Sequence, residues 1–203
     1  GGVRVLDDLS TGKAENLPDD PAIDLVTGSV LDEDLLRRVL DDVDVVFHLA
    51  CLGVRHSIHS PLPNHDANAT GTLRLLEAAR QAGVQRVVYT STSEVYGPAT
   101  TVPMTESHPT LPHTVYGGSK LAGEAYTRAY HLTYGMPTVV IRPFNAYGPR
   151  SHHEGDSGEV IPRFLVRASN GLPPQIFGDG TQTRDFTYVD DTARAIARAG
   201  VAP

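Results

Sequence analysis

A doubly wound α/β fold built on a parallel sheet is the architecture this sequence predicts. Two observations lead there. Short apolar runs rich in β-branched residues recur along the chain without strict alternation, as central strands covered on both faces require. Longer amphipathic stretches separate them, and strand–helix alternation of this kind favours parallel crossovers.

Taken in order, strands are expected at Val3–Asp7 (VRVLD), Ile23–Thr27 (IDLVT), 43–50 (VDVVFHLA), 86–91 (RVVYTS) and 138–142 (TVVIR). The first helix, 32–40, has Asp32 or Asp34 available as its cap. The second, 68–82, places Leu73, Leu76 and Ala79 on one face and stops at Gly83. The longest, Val115–Tyr134, closes before Gly135 and Pro137. Between strand and helix, 96–114 is rich in Pro, Thr and Ser and is expected as an irregular loop. Beyond Asn145 the rhythm breaks into a Gly/His/Pro-rich loop, a helix over 159–170, a strand-and-turn segment (PPQIFGDGTQ) and a final helical pattern. The chain enters a strand directly after Gly1-Gly2 and stops just after that last pattern, so both ends are expected to continue in a longer protein.

Composition narrows the function classes. A chain of 203 residues with 40% hydrophobic and 20% charged content can bury one sizeable core. Its net charge of −7 argues against a nucleic-acid partner, which would need a basic stripe. No apolar run approaches the roughly 18 residues of a membrane span, and no leader pattern is visible, so no membrane partner is expected. Cys51 is the one cysteine, which precludes an intrachain disulfide and points to a reducing, cytoplasmic setting.

Several short constellations carry chemistry. Asp7 ends the first strand and leads into Asp8-Leu9-Ser10-Thr11-Gly12. An acid at the carboxyl end of such a strand can accept hydrogen bonds from ribose hydroxyls and would repel a 2′-phosphate, favouring NAD over NADP. The same residues would also suit an ordinary surface turn. Tyr116 and Lys120, in YGGSK, lie four residues apart and share one helix face. A phenol titrates near 10, so a base acting near neutrality needs a shift of roughly three pH units, or about 4 kcal/mol. A neighbouring ammonium and a bound nicotinamide cation would supply it. On its own the pair is a weak signal, since the same spacing arises often by chance on exposed helices. Upstream, the 86–91 strand ends in Ser91-Thr92-Ser93 followed by Glu94, polar residues placed where open α/β sheets bind ligands. Downstream lie RPFNAYGPR and GDGTQTRDFTYVD, the second with Arg184 beside an acid.

The ordered set LDDLSTG, FHLA, NATGTLRLLEAAR, TSTSEVYG, YGGSK, RPFNAYGPR and RDFTYVDD resembles the extended short-chain dehydrogenase/reductases, NAD-dependent epimerases and dehydratases with a Rossmann-like domain. That family includes UDP-glucose 4-epimerases, dTDP-glucose 4,6-dehydratases and UDP-glucuronate decarboxylases. The likeness implies a dinucleotide-binding domain over 1–145, lacking its first strand and glycine loop, a partial substrate-binding region over 146–185, and a return to the first domain over 186–203. It implies that Asp7, Asp8, Leu9, Ser10, Thr11 and Gly12 hold the adenosine ribose of NAD, with Ser29 and Val30 at the adenine. It implies that Leu49, Ala50, Cys51 and Leu52 line the cofactor crevice, that Asn68 fixes it, and that Phe144 borders the nicotinamide. Thr92, Tyr116 and Lys120 take the catalytic positions, Tyr116 as base and Lys120 on the nicotinamide ribose. Ser93, Glu94, Asn145 and Arg184 fall to the nucleotide-sugar substrate, with Asn145 and Arg184 at its diphosphate. The implied reaction passes through a 4-keto sugar and is 4-epimerisation of a UDP-sugar, with 4,6-dehydration or decarboxylation as alternatives and a non-catalytic NAD-sensing role as a further one. A homodimer through the 68–82 and Val115–Tyr134 helices is implied for the full-length protein.

Where many relatives carry Asp-Ile or Asp-Leu, this chain has Ser29-Val30. His56, His59 and His65 stand at spacings of three and six but lack a matching cysteine or carboxylate pair, so no metal is expected. His152-His153, with Glu154 and Asp156, is expected as a solvated or substrate-rim loop. Cys51 is expected as a small buried hydrophobe, not a nucleophile.

Overall fold

The computed structural model describes residues 1–155 and 158–201, so Asp156 and the final two residues of the 186–203 segment lie outside the described part. It is an α/β structure whose strands pair in parallel. Strands β1 (Val3–Asp7) and β2 (Ile23–Thr27) pair with Val3 opposite Ile23 and Asp7 opposite Thr27. Strands β3 (Val45–His48), β4 (Arg86–Thr90) and β5 (Thr138–Ile141) form a second group with β4 central. The two groups share no strand ladder among the described residues. A shared helical layer joins them instead.

That layer follows from sequence pattern. Helix α1 (Glu33–Val39) starts where the Asp32 carboxylate accepts the Leu35 amide at 2.9 Å, and it buries Leu35, Leu36 and Val39. Helix α2 (Val54–His59), helix α3 (Pro61–His65) and a π turn over Asp66–Thr70 lead into α4 (Gly71–Ala82). Helix α5 (Val115–Tyr134) is capped by the Thr114 hydroxyl, which accepts the Gly117 amide at 2.9 Å, and stops at Gly135 in the left-handed conformation. Leu36, Leu76 and Ala79 are essentially inaccessible and meet Val87 of β4 and Tyr130 of α5 in one cluster, with Leu6, Val26 and Val46 packed against it. Each such leucine contributes about 1.5–3 kcal/mol on leaving water. One core therefore spans both strand groups.

The remainder is thinner. Strand β6 (Asn145–Tyr147) pairs with β7 (Phe186–Tyr188), and α6 (Val160–Ser169) stands between them in sequence. Helix α7 (Val189–Ala199) covers the other sheet face, where the Arg86 guanidinium donates to the Ala199 carbonyl at 3.3 Å. No described helix is long and apolar enough to cross a membrane.

Four expectations need correction. Burial on both faces holds for β4 alone, whose three middle residues are inaccessible, while Phe47 of β3 and Val3 of β1 are exposed. The strand expected over 43–50 is four residues long, because only Val45–His48 faces β4 and the chain then leaves the sheet. Leu73 is partly exposed, and the buried stripe of α4 runs through Leu75, Leu76, Ala78 and Ala79. The segment PPQIF forms no strand: Pro173 and Pro174 offer no amide donors, and Ile176 and Phe177 are exposed. The following turn does form, with Asp179 accepting from the Thr181 amide and hydroxyl.

Candidate active site

Parallel pairing sends the ends of β3, β4 and β5 in one direction, so the residues just beyond them gather along one edge, and β1 and β2 likewise run together. At the end of β1, the Asp7 carboxylate accepts the Leu9 amide at 2.7 Å. Asp8 accepts both the amide and the hydroxyl of Ser10, at 2.9 and 2.6 Å. The 7–12 turn is thus fixed by its own acids, with Thr11 exposed and Gly12 closing it against Asp7. After β2, the Ser29 hydroxyl accepts the Leu31 amide at 3.1 Å and Val30 packs on Gly71.

Beyond β3, Leu49, Ala50 and Cys51 are exposed, so the expectation of a buried Cys51 is overturned. The chain leaves the sheet at His48, which carries Cys51 out of the core. Leu52 is half-buried and anchored by Asn68, whose side chain accepts the Leu52 amide at 2.8 Å and donates to the Leu52 carbonyl at 2.9 Å. Asn68 also donates to Ser119 at 3.1 Å, and Ser119 donates to the Tyr116 carbonyl at 2.8 Å. One buried amide therefore ties the β3 loop to the helix turn between Tyr116 and Lys120.

At the end of β4, Thr92 caps the short turn Ser93–Val95 by accepting the Glu94 amide at 3.2 Å. Helix α5 begins directly against that turn. A Cβ on Gly117 would lie 2.8 Å from the Glu94 carbonyl, so glycine permits the close approach. The approach brings the Tyr116 phenol beside the Thr92 hydroxyl and the Cys51 thiol. Burial first, then Cys51 and Glu94, push the phenol well above its ordinary range, while Thr92 draws it down.

This differs from the expected lowering by a neighbouring ammonium. The Lys120 Nζ lies over the Tyr89 ring, 4.5 Å from its centre. Phe144 stacks on Tyr96 with ring centres 6.3 Å apart. Asn145 donates to the Asp185 carbonyl at 2.9 Å, which sets it beside exposed Arg184 through the β6–β7 pairing. Arg184 donates to the Thr183 carbonyl. Ser93 is half-buried and Glu94 exposed.

Motifs alone did not reveal the buried support behind these residues. His48 meets the Thr72 hydroxyl at 2.9 Å, Thr72 donates to the Asn68 carbonyl at 2.6 Å, and Arg142 pairs with Glu124 one turn beyond Lys120. Spacing hinted at Glu124, four residues after Lys120, but nothing local announces its partner.

These residues fit a dinucleotide. The Thr90 and Ser91 hydroxyls, at the end of β4, are buried without a hydrogen-bond partner, apolar Leu49 and Ala50 after β3 are exposed, and Asp7 stands at the end of β1. Among the described residues no cluster of histidine, cysteine and acid side chains could hold a metal ion.

A parallel sheet with a tyrosine beside a strand-end threonine and a lysine one helical turn further on is the arrangement of short-chain dehydrogenase/reductase enzymes. The chain belongs to the NAD dependent epimerase/dehydratase family, whose model matches residues 2–202. It is 40% identical over 205 residues to a UDP-glucose 4-epimerase of Mycolicibacterium smegmatis, covering 98% of this chain and 65% of that one. The structure matches a UDP-N-acetylglucosamine 4-epimerase of Methanobrevibacter ruminantium, solved with UDP-N-acetylmuramic acid, at a TM-score of 0.93 and 36% identity, over 98% of this chain and 64% of that one. It also matches a double mutant of a dTDP-glucose 4,6-dehydratase from Streptomyces venezuelae, solved with NAD, at 0.91 and 38%, over 98% and 63%. The chain thus spans just under two thirds of the length of each.

Proposed function

We propose that the full-length protein modifies a nucleotide sugar through a 4-keto intermediate, with NAD as cofactor, and that its reaction is 4-epimerisation of a UDP-sugar. The meeting of Tyr116 and Thr92 at the end of β4 carries this reading. Asp7, Asp8 and the turn to Gly12, Ser29, Val30, the 49–52 loop, Asn68, Phe144 and Lys120 would hold NAD. NAD held there would supply a reversible hydride acceptor for sugar C4. Tyr116 takes the proton of the 4-hydroxyl and gives it back, and Thr92 holds the same oxygen by a hydrogen bond. Asn145 and Arg184 hold the diphosphate, the guanidinium matching its oxygens. A phenol raised by burial is a strong base once ionised, and the positive charge of the nicotinamide favours that ionisation.

Ser93 favours epimerisation over 4,6-dehydration. Loss of water across C5 and C6 needs an acid for the leaving hydroxyl, and a serine at that place is a poor one near neutrality. A UDP-uronate decarboxylase and an NAD-sensing relative are the remaining readings, and a sensor has no need of Thr92, Tyr116 and Lys120 together. We place the enzyme in the cytoplasm, where an exposed thiol such as Cys51 stays reduced. A homodimer through α4 and α5 is supported by Leu73 and Leu132, both exposed on those helices.

The test is incubation of the full-length protein with a panel of UDP-sugars, followed by mass spectrometry and analysis of C4. Unchanged mass with inverted C4 is the expected result. Loss of water would establish the dehydratase and loss of carbon dioxide the decarboxylase. NAD binding without turnover of any sugar would establish the sensor.

A further inference from the structure

We infer that the Tyr89 ring is the seat on which the Lys120 ammonium rests, making Tyr89 a positioning residue for Lys120. Lys120 is 1% exposed, and no carboxylate among the described residues lies within ion-pair distance of it. Glu124, one helical turn further on, has both oxygens taken by Arg142, at 2.8 and 2.6 Å. A buried cation needs a partner, and what Lys120 has is the face of an aromatic ring, 4.5 Å from Nζ to its centre.

The ring is held in place to serve. Tyr89 is inaccessible in the middle of the sheet, and its hydroxyl donates to the Lys120 backbone carbonyl at 3.1 Å. One side chain thus grips a single residue at both ends, its hydroxyl on the main chain and its face under the ammonium. The approach depends on Gly123, where a Cβ would lie 2.2 Å from the Tyr89 hydroxyl oxygen. His48 stands beside the ring with centres 5.6 Å apart. The groups that act electrically on Lys120 are Cys51 from the β3 loop, Glu124 from its own helix and His48 from β3. Burial pulls the ammonium below its ordinary range, and Cys51 and Glu124 oppose that pull. The ring face favours the charged form in the same sense as those two.

Lys13 and Lys120 are the two lysines of the chain, and the Lys13 side chain is largely exposed, which makes the test direct. In the full-length protein with lysine labelled with carbon-13 at Cε and nitrogen-15 at Nζ, the two resonances are assigned as those lost in Lys13→Arg and in Lys120→Arg. Without cofactor or substrate, the Lys120 methylene should lie upfield of the Lys13 one through the ring current. Tyr89→Phe should keep that shift and the Lys120 titration. Tyr89→Leu should lose the shift and lower the pH at which Lys120 titrates. A Lys120 methylene coincident with Lys13 in the unaltered protein would overturn the seat, whether or not the leucine variant folds. Equal loss in the phenylalanine and leucine variants would overturn it too, by assigning the hold to the hydroxyl. The measurement stands apart from the proposed enzymology, since neither NAD binding nor sugar turnover enters it.

Discussion

Arg142 grips Glu124 with two parallel hydrogen bonds, Nε to one carboxylate oxygen at 2.8 Å and Nη2 to the other at 2.6 Å, tying the end of β5 to the middle of α5. The same guanidinium lies over the Tyr96 ring at 4.8 Å, and Tyr96 stacks in turn on Phe144. The Glu124 side chain is 2% exposed and that of Arg142 17%, so removing one partner strands the other with little water to receive it. Glu124→Ala should cost about 3–5 kcal/mol in urea unfolding. Glu124→Ala combined with Arg142→Met should recover most of that loss, because no unpaired charge is left behind. A single-variant loss below about 1 kcal/mol would place the pair with exposed ion pairs, which contribute little.

His48 makes the fold sensitive to acid. Thr72 donates its one hydroxyl hydrogen to the Asn68 carbonyl, so towards His48 it accepts, and the imidazole carries its hydrogen on Nε2. Burial, and secondarily the Lys120 charge, push this imidazole down to about 3. The unfolded chain takes up the proton near 6.5. The contribution to stability is therefore complete above pH 6.5 and is lost as pH falls towards 3. Between pH 6.5 and 5 most carboxylates remain ionised, so the loss there is mainly that of the imidazole, about 2 kcal/mol at roughly 1.4 for each pH unit. Urea unfolding at pH 7 and pH 5 measures it, and His48→Leu should flatten the difference. Equal stability of the unaltered protein at both values would show that the folded state accepts the proton.

What the sequence could show depended on how local each feature is. Val115–Tyr134 was legible because its cap, Thr114, and its stop, Gly135, are both neighbours in sequence. Tyr116 and Lys120 were legible for the same reason, being one helical turn apart. Helices α2 and α3 were not, since VRHSIHSPLPNH has no apolar period. They are held by Asn64, which donates to the Leu52 and Gly53 carbonyls at 2.8 and 3.1 Å. Strand β6 was hidden because it is three residues long and its partner begins at Phe186, far along the chain. The resting place of Lys120 was hidden too: Tyr89 belongs to another element, and a strand tyrosine reads as core until its face is seen to carry a cation.

Tyr116 should be indispensable to turnover and dispensable to binding. In the full-length enzyme, Tyr116→Phe removes the proton acceptor while leaving the ring, so turnover should fall by roughly 10²–10⁴-fold with NAD still retained. Thr92→Val should lower turnover as well, since the hydroxyl that reaches the phenol is lost. Lys120→Ala should weaken NAD retention in addition to turnover. Steady-state kinetics and the NAD content of the purified variants separate these outcomes. Near-normal turnover of Tyr116→Phe would remove the phenol from the mechanism.

Cys51 offers a test of the crevice that does not depend on catalysis. It is the one cysteine of the chain, it is exposed beyond β3, and its thiol lies beside the Tyr116 phenol. If the 49–52 loop lines the NAD site, a group attached to this sulfur projects into the space the cofactor needs. Iodoacetamide should therefore label Cys51, and the labelled full-length protein should bind NAD poorly. Prior addition of NAD should slow the labelling, because the bound dinucleotide covers the thiol. Cys51→Ala should bind NAD normally with and without the reagent, which assigns the effect to Cys51. Intact-mass measurement counts the label and fluorescence titration reads the cofactor. Labelled protein that binds NAD with unchanged affinity would show that Cys51 faces away from the crevice, and the assignment of Leu49 to Leu52 would fall with it.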